Sequence, residues 1–273
     1  VTVAIIGVLV GLLLPAVNSA RESARRLSCA NNCRQMGLGV LAYEATLGRY
    51  PAGRAAYSPD PVASPPGLHG WSSFILEFIE QKAVFSRIDY RSHWNAPGGN
   101  ETAAATLIPT YVCPSSRTTF PGKQDYAGIL GSAVRLSTAP RLPPDWQQGG
   151  VLYATSARGA TRPATVRMVT DGLSKTLLVT EAVDRLYVPP TQRSSASDSQ
   201  IGGSQWASGY SCVYLGAKQV NTPGKAGFRG PHPGGIQTLF ADGHVAFIAD
   251  ATAADVLVAL CTKRGGEATA DAL

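Results

Sequence analysis

The first seventeen residues, VTVAIIGVLVGLLLPAV, constrain the chain more than any other stretch. They carry no charge, and Thr2 is their only hydroxyl. As a helix they reach roughly 25 Å, a little short of the hydrocarbon core of a bilayer at about 30 Å. The start on Val rather than Met reads as a fragment or processed form, whose earlier residues would complete the span. A buried core helix or a signal-peptide core has a similar composition. However, no small-residue cleavage site follows, and the helical pattern continues instead. Ile5, Ile6, Val8 and Leu14 would then face lipid or neighbouring helices. Gly7 and Gly11 form a GxxxG pair that permits close helix approach. Pro15 removes a backbone donor and should kink the helix or loosen one turn.

Residues 18–50, NSARESARRLSCANNCRQMGLGVLAYEATLGRY, continue the helix with a different chemistry. Leu27, Ala30, Met36, Val40, Tyr43 and Leu47 recur at steps of three and four, or their sums, which makes an apolar face against a polar one. Glu22 stands four residues before Arg26, the favourable order for an i,i+4 pair. Gly48 supplies a C-terminal stop and Pro51 seals it. The expected organisation is therefore a helix over 1–50, with an anchor at 1–17 and an amphipathic spine at 18–50, followed by a globular part over 51–273.

A helix that is half anchor and half spine resembles the type IV pilin and pseudopilin families. More narrowly, the opening through Pro51 resembles planctomycete-type prepilin-like proteins that carry the domain of unknown function numbered 1559. The basic leader, cleavage site and early glutamate of pilins are not in this sequence, so neither processing nor a glutamate contact follows from it. The resemblance implies an α+β fold, pilin-like, with the long helix packed on an antiparallel sheet among loop-rich insertions and extra short helices. It also implies a non-enzymatic structural subunit of a type II secretion or type IV pilus-like apparatus, or of a surface fibre. Its partners would be other pilin-like subunits, met through the N-terminal helix, and inner-membrane lipid. The globular part would lie in the periplasm or on an extracytoplasmic fibre.

Charge bears on that placement. The formal net charge is +6, but the arginines are scattered except for Arg21, Arg25 and Arg26 beside the anchor. No basic stripe interleaves with aromatics, which argues against nucleic acid. By the positive-inside rule the Arg trio would put the C-terminal side in the cytoplasm, opposite to the pilin arrangement. The five cysteines include no CxxC pair, so a zinc ribbon is excluded. In an oxidising compartment the first pairings to consider are Cys29 with Cys113 and Cys212 with Cys261, and the odd count leaves one thiol over.

Further along, 51–67 is a Pro/Gly/Ser-rich connector. Residues 69–90 show helical steps through Phe74, Ile75, Phe78, Ile79, Val84, Phe85 and Ile88, and read as a packing helix capped by Ser72 or Ser73. Leu107 to Cys113 reads as a short strand, and Gly149 to Tyr153 begins another. Val166 to Glu181 reads as strand, turn and strand around Asp171-Gly172. Residues 188–211 read as a long exposed loop. Ala253 to Cys261 reads as the last helix. The family resemblance extends over these segments: Trp71, Ser72, Glu80 and Gln81; Cys113-Pro114-Ser115, with Ser116 where Asp is usual; the DYAGILG segment from Asp125; and Val169, Asp171, Gly172, Ser174, Thr176 and Glu181.

The most specific stretch is HPGGIQTLFADGHVAFI, residues 232–248. Asp242-Gly243 between alternating runs predicts a hairpin with a two-residue type I′ turn. That turn sets Phe240 opposite Val245 and Thr238 opposite Phe247. The His–x9–Asp-Gly spacing from His232 to Asp242 matches the family's ending, with His244 where Ser is usual. Gly234 and Gly235 after Pro233 give a run able to fold the His232 ring back. His232, Asp242 and His244 are the metal candidates, joined by Asp171 or Glu181 in an enzymatic alternative. The favoured reading is an architectural staple, with no catalytic residue and no cofactor. Calcium stays an open candidate, although no EF-hand-like string occurs. A second alternative is an anchored surface protein that binds polysaccharide on Trp71, Trp94, Trp146 and Trp206.

Overall fold

The computed structural model describes residues 2–55, 69–132, 149–155, 163–183, 204–209, 211–215, 220–221 and 228–266. Its first element, α1 (Thr2–Leu47), is a continuous helix of 46 residues, about 69 Å long. It runs through Pro15 without an interruption. It stops where Gly48, at φ +68°, donates its N–H to the Glu44 carbonyl. A left-handed glycine at this position is a common way to end a helix.

The two halves of α1 differ in packing. Val3, Ile5, Ile6, Leu9, Val10, Leu12, Leu13, Leu14 and Val17 are all exposed. A Cβ on Gly7 or Gly11 would meet nothing within 4 Å. Val8 is among the residues whose side chains are not described. In the second half the buried stripe is Cys29, Ala30, Cys33, Met36, Gly37 and Val40, with Tyr43 half-buried. The expected apolar face is therefore partly out of phase: Leu27 is 64 % exposed and Leu47 49 %. The inner stripe runs back from Cys29 through Arg26 and Glu22, two charged residues at helical spacing. Gly37 lets α1 lie close on the sheet, since a Cβ there would stand 2.8 Å from Leu239 Cδ1.

The sheet has five strands: β3 (Tyr126–Ser132), β5 (Leu177–Glu181), β6 (Cys212–Leu215), β7 (Gly235–Phe240) and β8 (Val245–Ala249). Their order is β6-β3-β5-β7-β8, antiparallel apart from the parallel β3–β6 pair. A smaller sheet joins β1 (Arg54–Ala55), β2 (His69–Gly70) and β4 (Ala154–Thr155). One face of the large sheet, with Leu178, Val179, Leu239 and Ala241, joins the cluster containing Met36 and Val40 of α1. The other face, with Ala127, Ile129, Leu177, Ile236, Phe240 and Ile248, packs on Leu257, Val258 and Leu260. Those last residues belong to the C-terminal helix, Ala254–Leu260. The chain is thus α+β, with the long helix and the C-terminal helix on opposite faces of the sheet. A bulge places Leu177 and Val179 opposite Phe240 and Leu239, so that Leu178 is the extra residue.

Several local expectations change. Residues 69–90 do not form one helix. They make α2 (Trp71–Phe74), a 3-10 turn (Leu76–Ile79) and α3 (Lys82–Phe85). The break is Glu80, a non-glycine residue at φ +62°. Ser72 and Ser73 do not cap α2; the Ser73 hydroxyl donates to the Gly70 carbonyl and that of Ser72 to the Trp206 carbonyl. The expected strand before Cys113 is a 3-10 turn at Pro109–Tyr111, where Pro109 removes a ladder donor. The first of the two strands around Asp171 is likewise a 3-10 turn, Val166–Met168. A further short helix, α4, spans Asn100–Ala104, and the C-terminal helix Ala254–Leu260 is α5.

The hairpin forms with a different turn. Leu239 pairs with Val245, Thr238 with Ala246 and Gln237 with Phe247, one residue away from the expected register. Phe240 N–H bonds to the His244 carbonyl, and Gly243 N–H bonds to the Phe240 carbonyl. The loop is therefore three residues, Ala241 to Gly243, with Gly243 at φ +91°. This is the other common short hairpin, in which a tight turn is followed by one left-handed residue. Because side chains alternate, a slip of one changes every cross-strand partner. Phe240 consequently stacks on His244 at 4.2 Å, instead of facing Val245.

Candidate functional site

The polar residues of the α1 inner stripe converge on one buried histidine. His232 lies in the loop entering β7, and its side chain is fully buried. Its Nδ1 is 2.7 Å from Glu22 Oε1 on α1, and its Nε2 is 3.2 Å from Glu181 Oε1 at the end of β5. Nε2 is also 3.6 Å from Cys113 Sγ. Cys113 is bonded to Cys29 of α1 with a Cα–Cα distance of 5.5 Å. Three distant segments and the helix thus meet at a single ring.

Neither carboxylate is interchangeable with the other. Glu22 is 25 % exposed and also takes hydrogen bonds from Arg25 Nε (2.9 Å) and the Ser115 hydroxyl. The sequence pairs Glu22 with Arg26, but Arg26 instead lies 3.5 Å over the Phe247 ring. Burial pushes Glu22 up, but the hydrogen bond from His232, then that from Arg25, carries the net direction below the ordinary carboxylate value. Glu181 is completely buried. Its Oε2 accepts the Gln237 N–H at 2.9 Å, whereas Oε1 has no partner among the described residues other than His232 Nε2 at 3.2 Å. Burial pushes His232 down; the Glu181 carboxylate and then Glu22 outweigh it, so the imidazole titrates above its ordinary value.

A second buried ion pair fixes the neighbouring chain. Lys123 Nζ stands 3.2 Å from Asp125 Oδ2 and donates to the Ser116 hydroxyl (2.6 Å) and the Thr118 carbonyl. Asp125 Oδ2 accepts the Cys113 N–H at 3.0 Å, and Oδ1 accepts from the Ser116 hydroxyl. Ser116, where the resembling proteins carry Asp, thereby links Lys123 to Asp125. The pair holds the backbone of Cys113, and so holds the sulfur beside His232.

The remaining sequence candidates go elsewhere. Asp242 and His244 sit at the tip of the β7–β8 hairpin, where Asp242 Oδ1 contacts His244 Nδ1 at 2.6 Å and accepts the His244 N–H. β7 separates them from His232 by six residues, about 20 Å of strand, so the trio cannot share an ion. Asp171 accepts the Gly265 and Gly266 N–H groups (2.6 and 3.0 Å) and ties the segment after α5 to the Gly172 turn, where Gly172 has φ +100°. Gly234 adopts φ +86°, and a Cβ on Gly235 would fall 2.2 Å from the Ile248 carbonyl. The expected Cys212–Cys261 bond is not formed: the Cys212 thiol donates to the Gly53 carbonyl at 3.0 Å, and Cys33 and Cys261 are buried thiols. Trp71, Trp94 and Trp206 are buried in the core, so they offer no exposed platform, and Trp146 lies outside the described residues.

Glu22, Cys29 and Cys113 are the junction residues that sequence reasoning did not join to His232. The signal was present on α1, where residues 22, 26, 29, 33, 36 and 40 follow one helical stripe. Charged residues on an otherwise apolar stripe call for partners across the interface.

Fold and site together define an α+β protein with an apolar helix end that meets no partner among the described residues and a buried histidine–carboxylate–disulfide junction. The helix is long and apolar enough to anchor in a membrane or to be a signal sequence. The chain belongs to the family described as Protein of unknown function (DUF1559), whose model matches residues 18–255. No curated protein and no solved structure matches it.

Proposed function

We propose that the protein is a membrane-anchored, pilin-like structural subunit with its globular part outside the cytoplasm, and that it is non-enzymatic. The observation that carries this reading is the division of α1. Its N-terminal half exposes apolar side chains from Val3 to Val17, while the same helix docks its C-terminal half on the sheet. Apolar area of that extent on a soluble surface marks a membrane or protein contact. The open Gly7 and Gly11 positions suit contact with the helices of neighbouring subunits. The Cys29–Cys113 bond favours an oxidising compartment, against the orientation that the Arg trio alone suggests.

Under this reading the His232 junction is a staple between the helix, the Cys113 loop, β5 and β7. Of the described groups near it, the Cys33 thiol is fully buried and pushed well above its ordinary pKa by that burial and by Glu181, and the Lys123 ammonium is ion-paired with Asp125 and donates to Ser116. The test is electron microscopy of surface fibres from cells with and without the gene, together with immunogold labelling of the globular part. Labelled fibres lost on deletion support a fibre subunit. Unlabelled or unchanged fibres refute that role.

A further inference from the structure

We propose that the reduced protein binds one zinc-class divalent ion through Cys29, Cys113, His232 and Glu181, and that oxidation to the Cys29–Cys113 disulfide expels it. One sulfur each from Cys29 and Cys113, a nitrogen of His232 and a carboxylate oxygen of Glu181 all lie within 4.8 Å of one another. A tetrahedral site with ligand bonds of about 2.0–2.3 Å has ligand–ligand edges of about 3.3–3.8 Å. Nε2–Sγ of Cys113 at 3.6 Å and Nε2–Oε1 of Glu181 at 3.2 Å already match two such edges. The two sulfurs must separate from bonding distance, and two side-chain rotations share that movement.

The surroundings are those of a ligand set. Glu22 accepts at Nδ1 of His232, as a carboxylate behind a metal-bound histidine does, and this directs Nε2 into the cluster. Glu181 Oε1 is buried, has no partner among the described residues other than His232 Nε2 and faces the same point. Two thiolates, an imidazole and a carboxylate suit a borderline-soft ion, where calcium or magnesium would require oxygen ligands. Glu22, a quarter exposed, is the edge nearest solvent.

A phosphine and one water molecule together supply two electrons and two protons, split the Sγ–Sγ bond into two thiols and leave as the phosphine oxide. The ion binds as both thiols release protons to solvent. In the reverse direction a disulfide-bearing oxidant takes two electrons from the thiolates, becomes two thiols with two protons from solvent, and the Sγ–Sγ bond re-forms as the ion leaves.

The experiment is a Co2+ titration of the full chain in detergent micelles, before and after reduction with a phosphine, read by absorption. The reduced chain should bind one equivalent, with sulfur-to-cobalt charge-transfer and tetrahedral d–d bands that Zn2+ abolishes; the oxidised chain should show none. Cys29→Ser should remove the bands, and His232→Ala and Glu181→Gln should each weaken binding at least about tenfold. Glu22→Gln, which acts through the ring, should weaken it about 10–100-fold, and Cys212→Ser should leave it unchanged. Far-UV circular dichroism accompanies each titration. Absence of stoichiometric binding by the reduced chain, unfolding on reduction, or wild-type affinity in folded His232→Ala and Glu181→Gln would each overturn the proposal.

Discussion

Replacing His232 by Ala in the oxidised chain tests the buried junction directly. The substitution removes a fully buried imidazole and leaves Glu181 with no cation beside Oε1. Deleting one partner of a buried pair costs about 3–5 kcal/mol, because the other charge is left in a low-dielectric site. Glu22 adds little to that figure, since it is partly solvated and keeps Arg25. The loss thus exceeds the modest effect expected from a loop hydrogen bond. Glu181→Gln in the same background removes the stranded charge, and Gln can still accept the Gln237 N–H. The double variant should therefore lose less than the sum of the single ones, with a coupling of about 1–3 kcal/mol. The assay is denaturant unfolding in detergent at pH 6 with chelator present, followed by near-UV circular dichroism. A His232→Ala chain within about 0.5 kcal/mol of wild type, or strictly additive variants, would refute the reasoning.

Four other outcomes follow from the packing. Met36→Asp should destabilise by about 3 kcal/mol or more, while Leu27→Asp stays within about 0.5 kcal/mol in the same unfolding assay; the reverse order would restore the sequence-derived helix phase. Gly243→Val should cost about 1–3 kcal/mol in thermal melts, from a φ of +91° and a Cβ placed 2.7 Å from Leu41 Cδ1. Cys29→Ser should cost about 2–5 kcal/mol in the metal-free chain, since the bond closes a sequence separation of 84. Burial lowers Lys263 to about 8 from an unfolded value of 10.5. Between those values the unfolded chain holds the extra proton, so stability should rise with pH from about 8 toward 10, and Lys263→Met should flatten that rise.

Much of this architecture is legible in residues 1–50 and 232–261, where periodicity and turn chemistry are strong. The end of α1 at Gly48 and the C-terminal helix are read to within a few residues. The phase of α1 is not, because its inner stripe carries Glu22 and Arg26 while Leu27 and Leu47 face outward, and hydrophobicity alone assigns them oppositely. The hairpin is legible but its register is not: Asp-Gly suits a two-residue loop, yet Ala241 joins it and shifts every pair by one. The break at Glu80 has no signal in the residue type, since a left-handed cap favours glycine, yet here an exposed glutamate takes it with its N–H on the Leu76 carbonyl. The junction at His232 escapes sequence reasoning for a related reason: its members come from positions 22, 29, 113, 181 and 232, and only the folded sheet brings them together.

The most direct test of the anchored, outward-facing arrangement is protease digestion of intact spheroplasts from cells expressing the gene, with a tag after residue 266 followed by blotting. The globular part should be degraded while the membrane is intact, leaving a short membrane-bound remnant containing the start of α1. Protection of the tag until the membrane is lysed, or recovery of the protein in the soluble fraction, would contradict the account.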